Sequence, residues 1–169
     1  MEAKTAYLCL GSNRGDRLVH LRRALDEISA RTGRVAGISP VYESDPVGFE
    51  DKTRFLNLVA EVRTELEPVQ LITVILGIER MLGRERAEDR PAGPKVYLPR
   101  TIDVDILFYE DLILDLPGLI VPHPRLAERR FVLAPLNDIA PDLVHPVLRK
   151  TMRQLLAACR DSSRVEVFT

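Results

Sequence analysis

Two aspartates, Asp103 and Asp105, stand two residues apart in a short apolar run over residues 102–108. Such a run predicts a β-strand, so both carboxylates leave one face of a sheet while Val104 and Ile106 point into the core. Neighbouring carboxylates repel each other unless a cation compensates them, and Mg²⁺ commonly binds one or two carboxylates plus substrate phosphates. The spacing by itself fits the solvated face of an edge strand at least as well.

Basic residues lie on both sides of this acidic pair in the sequence. They are Arg84, Arg86, Arg90, Lys95, Arg100, Arg125, Arg129 and Arg130. Guanidinium groups bind phosphate oxygens through planar bidentate hydrogen bonds, so acidic pair and arginines together indicate magnesium-assisted phosphoryl transfer. Each arginine taken alone is more simply an exposed solubilising charge. The chain has no G-x-x-x-x-G-K-[ST] loop, which excludes a P-loop enzyme.

A second group of residues could recognise a flat heterocycle. Asn57 lies in a predicted strand, and its carboxamide offers a donor and an acceptor together. Phe55 shares its face and Phe131 lies in the later arginine-rich segment, so two rings could enclose a planar ligand. His123, held between two prolines, could bond a phosphate. Taken singly, these residues are more simply a solvent-facing amide, core phenylalanines and a surface histidine.

Apolar periodicity predicts the elements that must position these side chains. Helices are predicted from Asp16, as N-cap, to about Arg31, and from Pro68 to near Gly83, while Gly11-Ser12-Asn13 reads as a turn. The other predicted elements are strands at 6–10, 34–43, 55–65, 102–108 and 164–168, a hairpin within 112–121, and helices within 124–139 and 151–159. The order β-α-β-β-α-β plus a C-terminal helical and hairpin extension predicts an α+β, ferredoxin-like sandwich. Its antiparallel sheet carries helices on one face.

Composition favours an ordinary globular chain. It has 169 residues and a formal net charge of −1, with 46% hydrophobic and 29% charged residues. We therefore expect one domain over residues 1–169, and neither a nucleic-acid nor a membrane partner. The N-terminus has no signal-peptide pattern, and the two cysteines, Cys9 and Cys159, are expected to be free thiols in the cytoplasm.

The motifs together resemble the 6-hydroxymethyl-7,8-dihydropterin pyrophosphokinase family over about residues 6–146. The matching segments are AYLCLGSN, SDPVGFEDKTRFLN, IERMLGR, PRTIDVDIL and VPHPRLAERRFVLAPLNDIAP. The most specific is Arg100-x-x-Asp103-x-Asp105. The resemblance implies the ferredoxin-like fold and transfer of a diphosphate from ATP, as co-substrate, to the pterin in folate synthesis, with release of AMP.

The resemblance also implies a role for individual residues. Asp103 and Asp105 would bind two Mg²⁺ ions and act in catalysis with Arg84, Arg86 and Arg100. The pterin would contact Ser44, Val47, Phe55, Asn57, Asp103 and Phe131. ATP would contact Glu79, Arg86, Tyr97, Arg100, Ile106, His123 and Arg129, beneath a lid formed by residues 84–99. Leu76 and Leu98 depart from the family pattern near the nucleotide and in the lid.

Three other functions remain open at this stage. A different magnesium-dependent phosphotransferase or phosphohydrolase could use the same acidic pair. A β-α-β-β-α-β sheet also serves RNA-recognition modules, although these carry stacking motifs and a basic surface that this chain lacks. A ligand-sensing regulatory domain would have no need of the acidic pair. We expect the protein to act as a monomer.

Overall fold

A six-stranded antiparallel sheet carries the predicted acidic pair in the computed structural model, which describes residues 2–45, 53–83 and 101–169. Its strands are β1 (Lys4–Ser12), β2 (Gly33–Ile38), β3 (Tyr42–Ser44), β4 (Phe55–Thr64), β5 (Asp103–Tyr109) and β8 (Val165–Val167). A separate hairpin consists of β6 (Leu114–Leu116) and β7 (Leu119–Val121). The helices are α1 (Arg17–Arg31), α2 (Pro68–Met81), α3 (Arg130–Ile139) and α4 (Met152–Ala158), with a 3₁₀ turn at Leu126–Glu128.

Strand β4 lies at the centre of the sheet, and β1 lies between it and β5. The strand order is β5-β1-β4-β3-β8, and β2 pairs with the other half of β4. The prediction of one strand over residues 34–43 is wrong, because Ser39, Pro40 and Val41 separate β2 from β3. Proline has no N–H for a ladder, and Ser39 replaces the lost pairing by exchanging two hydrogen bonds with the Val59 backbone.

The two faces of the sheet bury different clusters. On one face, alternate residues such as Leu8, Leu58 and Ile106 pack against α1 and α2. On the opposite face, Cys9, Val59 and Leu107 pack with residues of α3 and α4. The α+β class is confirmed, but the prediction of helices on one face holds only for α1 and α2. The C-terminal helices bury apolar side chains of their own against the middle of the second face.

Local sequence signals explain where the helices begin. The Asp16 carboxylate accepts a hydrogen bond from the Val19 N–H at 3.2 Å and so caps α1 as predicted. Pro68 occupies the first turn of α2, where its missing N–H costs nothing. Thr151 and Gln154 form a capping box at the start of α4.

The structure also bears on the cysteines and on the length of the apolar helices. Both cysteines are free thiols, as predicted. Within residues 2–45, 53–83 and 101–169, the longest apolar helices fall short of what a bilayer crossing requires.

Candidate active site

The strand register aligns the predicted acidic pair with the predicted amide. Asp103 pairs with Gly11 of β1, and Gly11 pairs with Asn57 of β4. Directly paired residues in antiparallel strands project to the same face, so these three positions form one row across the sheet. Asp105 lies in the next row, beside Cys9. Asp103 and Asp105 are both partly exposed while Val104 and Ile106 are buried, which confirms that the two carboxylates share one face.

Gly11 leaves room in the middle of this row. A Cβ atom on Gly11 would stand 2.8 Å from the Asn57 Oδ1 atom and 3.6 Å from the Phe55 Cδ1 atom. The first distance is shorter than a van der Waals contact, so any side chain here would displace the amide. The predicted turn at Gly11 is wrong, because β1 continues through Ser12. An isolated glycine within an apolar strand is the signal of close approach that could have identified it.

Ser44 orients the amide of Asn57. The Asn57 Nδ2 atom donates to the Ser44 Oγ atom at 2.7 Å, and both side chains are buried. Ser44 pairs with Phe55 in the adjacent row. Phe55 and Asn57 are two residues apart on β4, so their side chains lie on one face, as predicted. The resemblance implies that Ser44 contacts the pterin. The structure shows that its hydroxyl acts on Asn57 as well.

The start of α3 brings Phe131 and Arg129 to the same side of the sheet. Phe131 packs against the cluster that contains Cys9, Val59 and Leu107. The Arg129 guanidinium carbon lies 5.6 Å from the centre of the Phe131 ring, within cation–π range. The cation and the ring therefore form one unit at the edge of the face that carries the acidic pair.

Electrostatic effects link the acidic pair to the residues around it. Burial raises the pKa of the Cys9 thiol, and the Asp105 and Asp103 carboxylates raise it further. Burial also lowers the pKa of His123 to about 4, with Arg129 lowering it as well and Asp103 opposing them. The charges of Asp103 and Arg129 thus act on the His123 ring, which is neutral at pH 7.

The ring nitrogens of His123 have different roles. Its Nδ1 atom accepts the Arg125 N–H at 3.2 Å, so in the neutral ring the proton is on Nε2. The backbone N–H of His123 donates to the Leu107 carbonyl at 2.9 Å, which ties this segment to β5. A neutral imidazole in this state presents one N–H donor to a ligand.

Glu79 supports the strand that carries the acidic pair. Its side chain is 1% exposed, and its Oε2 atom accepts the Val104 N–H at 3.1 Å. Val104 is the residue between Asp103 and Asp105. A buried carboxylate bonded at this point fixes the β5 backbone from the face opposite the two aspartates.

Some of the predicted site residues that the structure describes are not brought to this face. The Ile106 side chain is buried in the cluster beneath α1 and α2, so a nucleotide contact would have to use its backbone. Val47, Arg84, Arg86, Tyr97 and Arg100, together with the predicted lid, lie outside the described residues.

Sequence reasoning missed Tyr42, which occupies the position next to Asn57 in the row. Its hydroxyl donates a short hydrogen bond to the Asp138 carboxylate of α3. Burial and this bond raise the pKa of Tyr42 to about 12. No pattern in the sequence could have revealed this contact, because Tyr42 and Asp138 are far apart along the chain.

The chain is similar in sequence to known proteins over most of its length. Residues 7–141 match the model of the 7,8-dihydro-6-hydroxymethylpterin-pyrophosphokinase (HPPK) family. A 2-amino-4-hydroxy-6-hydroxymethyldihydropteridine pyrophosphokinase from Bacillus subtilis is 45% identical over 135 residues, which cover 79% of this chain and 77% of that protein. These relationships define the class of protein as a pyrophosphokinase, as predicted. The chain belongs to the HPPK family.

Other relatives are longer than this chain. The folic acid synthesis protein fol1 of Pneumocystis carinii is 42% identical over 147 residues, covering 87% of this chain but 19% of that protein. The solved structure of a Plasmodium falciparum HPPK-DHPS triple mutant with STZ-DHP has a TM-score of 0.75 at 19% identity, covering 93% of this chain and 43% of that chain. The chain therefore spans under half of these two proteins, and the structural similarity demonstrates a shared fold.

The first prediction concerns the gap at Gly11. Gly11→Ala places a methyl group against the Asn57 amide, which must rotate away from Ser44. We expect the dissociation constant of the pterin to rise about tenfold, corresponding to roughly 1.4 kcal/mol. Affinity for an ATP analogue should change by less than about twofold. Equilibrium titrations of each ligand measure both values.

Gly37→Ala is the matched control for this substitution. Gly37 also pairs with β4, but an added Cβ would meet only the Glu61 side chain, at 3.5 Å. The control should bind both ligands like the parent protein. Equal pterin affinities in the Gly11 and Gly37 variants would contradict the claim that pterin binding needs the open space beside the Asn57 amide at Gly11.

The second prediction concerns the charge of His123. In the metal-free protein, NMR titration should show this ring neutral down to about pH 4, with the proton on Nε2. Because the unfolded ring binds a proton near pH 6.5 and the folded ring does not, this residue's contribution to stability is complete above that pH. It is lost as the pH falls towards 4. His123→Gln assigns the resonance, and a ring that titrates at 6.5 or above would refute the prediction.

Proposed function

We propose that the row Asp103–Gly11–Asn57 is the centre at which this enzyme transfers a diphosphate from ATP to 6-hydroxymethyl-7,8-dihydropterin. The products are AMP and the pterin diphosphate, a step of folate synthesis. The observation that carries the proposal is the register of β1 with β4 and β5, which aligns carboxylate and amide on one face. Family membership supports the same reaction.

The pterin lies over Gly11 in this proposal. Phe55 from β4 and Phe131 from α3 stack on its two faces, and the Asn57 carboxamide pairs with its amide edge. Two strand spacings separate Asn57 from Asp103, about 10 Å. That distance suits a bicyclic ring whose amide end is at Asn57 and whose hydroxymethyl group reaches the acidic pair. Val47, outside the described residues, is proposed to contribute a backbone contact.

In this proposal the phosphates of ATP lie on the side of the acidic pair that faces away from the pterin. Arg129 provides a positive charge there, and the neutral His123 donates an Nε2–H hydrogen bond without adding charge. Glu79 acts indirectly, because it fixes the β5 backbone between the aspartates. Arg84, Arg86, Arg100 and Tyr97 are proposed to contact ATP from the lid over residues 84–99.

The acidic pair fits magnesium. Asp103 and Asp105 present partly exposed oxygen ligands on one face, the donor type that Mg²⁺ prefers. No group of three or more His, Cys, Asp and Glu side chains suited to a metal occurs among the described residues. The remaining coordination positions would fall to phosphate oxygens and water, which is usual for magnesium in phosphoryl transfer. Two such ions, when bound, would neutralise charge on the phosphates.

The protein contributes mainly position and electrostatics. The hydroxymethyl oxygen attacks the β-phosphorus and releases its proton to water. The bond from that phosphorus to the oxygen bridging to the α-phosphorus breaks, and AMP departs with that oxygen. Phe55, Phe131 and Asn57 hold the acceptor oxygen in line, which removes much of the entropic cost of a reaction between two substrates. Arg129 offsets negative charge as it shifts to the leaving group.

The remaining assignments belong to the same proposal. The arrangement of β1, β4 and β5 with α1 and α2 on one face supports a ferredoxin-like classification, to which the C-terminal elements are added. A single domain over residues 1–169, a monomeric state and a cytoplasmic location remain predictions.

The third prediction tests the reaction and the acidic pair together. With ATP, Mg²⁺ and 6-hydroxymethyl-7,8-dihydropterin, AMP should form only when the pterin is present, and EDTA should abolish it. Asp103→Asn keeps the shape of the side chain but removes its charge, and should lower kcat by about two to three orders of magnitude. Chromatographic separation of AMP, ADP and the pterin diphosphate measures the outcome.

Asp115→Asn is the control for the loss of one carboxylate. Asp115 lies on the exposed strand β6 and should be replaceable without effect. Production of ADP or free phosphate in place of AMP would indicate another phosphotransferase. Near-normal AMP release by the Asp103 variant would remove the acidic pair from the mechanism.

A further inference from the structure

The residue between Arg129 and Phe131 points away from the proposed site. Arg130 is the first residue of α3, and its guanidinium binds the chain near the C-terminus. The Nε atom donates to the Asp161 carbonyl at 2.9 Å, and the Nη2 atom donates to the Cys159 carbonyl at 3.2 Å. The contacts of Arg130 therefore fix the backbone from which the Arg129 and Phe131 side chains extend.

Asp161 reciprocates this contact. Its Oδ2 atom accepts the Arg130 backbone N–H at 2.9 Å, one of the donors at a helix start that the helix itself leaves unpaired. Its Oδ1 atom accepts both the N–H and the hydroxyl of Ser163. Burial alone would raise the pKa of the Asp161 carboxyl, but the bonds from Ser163 and Arg130 lower it. The carboxylate is ionised at neutral pH and holds both partners.

The same part of the chain also contacts the opposite side of the site. The Arg164 carbonyl accepts the Asp45 N–H at 3.4 Å, and β8 pairs with β3. In that pairing Val165 is opposite Ser44, whose hydroxyl binds the Asn57 amide. Residues 159–167, which we call the C-terminal brace, thus bind the start of α3 and the strand beside Asn57.

We infer that Asp161 and Arg130 are positioning residues, which set the separation between the Phe131 side and the Asn57 side of the pterin site. The inference rests on the proposed roles of Phe131 and Asn57. The brace lies beyond residues 7–141, the part of the chain that matches the family model.

Arg130 and Asp161 act through the position of the α3 backbone and do not contact the substrate. Phe131 follows Arg130 directly, so a shift of the α3 start moves the ring that would cover the pterin. Arg130 and Asp161 each bind the backbone of the other, and the brace continues into a strand that is hydrogen-bonded to β3. Loss of one contact frees the start of α3 while the sheet side of the site stays in place.

The test compares Asp161→Asn with a control of the same chemistry. Asparagine offers one acceptor oxygen in place of two, so it cannot accept hydrogen bonds from both the Arg130 N–H and the Ser163 N–H as the two oxygens of Asp161 do. Asp142→Asn is the control, because Asp142 forms a 3.2 Å ion pair with Arg153 that is largely exposed and lies outside the brace. Pterin affinity is measured by the ligand's own fluorescence, with saturating Mg²⁺ and α,β-methylene-ATP, because the chain has no tryptophan.

We expect Asp161→Asn to weaken pterin binding about fivefold or more, and the control to leave it unchanged. The decisive readout is the same substitution in a Phe131→Ala background. If Asp161 acts through Phe131, its effect there falls below about twofold, since residues that act as a unit are not additive. A purely stabilising role would lower the melting temperature without this pattern.

The two variants separate the role of Asp161 from the proposed pterin site. Unchanged pterin affinity in Asp161→Asn, or an equal loss in both backgrounds, would overturn the inference. Unchanged affinity in Phe131→Ala would instead refute the proposed pterin site. Arg130→Met provides the same comparison through the partner residue if Asp161→Asn does not fold, because it removes both guanidinium bonds and keeps the length of the side chain.

Discussion

The pairing of β1 with β4 on one side and β5 on the other is the constraint on which the site depends. This register places Asp103, Gly11 and Asn57 in one row and Asp105 in the next. A slip of one residue would turn every side chain of a strand to the other face. The apolar cluster beneath α1 and α2 opposes such a slip, because Leu8, Leu58 and Ile106 would then leave the core. Core packing on one face thus determines the chemistry available on the other.

The two faces of the sheet have different tasks. One is covered by helices and provides most of the burial that stabilises the fold. The other is covered only in part by α3 and α4, which leaves Asp103 and Asp105 partly exposed. Polar contacts secure this boundary. The buried Glu79 bonds to the β5 backbone, Ser44 holds the Asn57 amide, and the partly buried Tyr42 connects β3 to Asp138 of α3.

Local patterns and contacts distant in sequence differ in how far they could be predicted. The run around Asp103 predicted strand β5 and the shared face of its carboxylates, because alternation is a local property of a strand. Asp16 and Pro68 likewise predicted helix starts. The interruption at Pro40 and the position of α3 over the second face depend on pairing and packing between distant segments. The sequence around Gly11 predicts a turn, because only the register shows that the missing side chain of Gly11 accommodates the Asn57 amide.

A crystal structure of the complex with α,β-methylene-ATP, Mg²⁺ and 6-hydroxymethyl-7,8-dihydropterin tests the central claim most directly. We expect the pterin to lie over Gly11, between Phe55 and Phe131, with its amide edge at Asn57. Metal density should lie at Asp103 and Asp105, with the hydroxymethyl oxygen directed at the β-phosphorus. A pterin bound on the face beneath α1 and α2, or a metal held away from both aspartates, would contradict it.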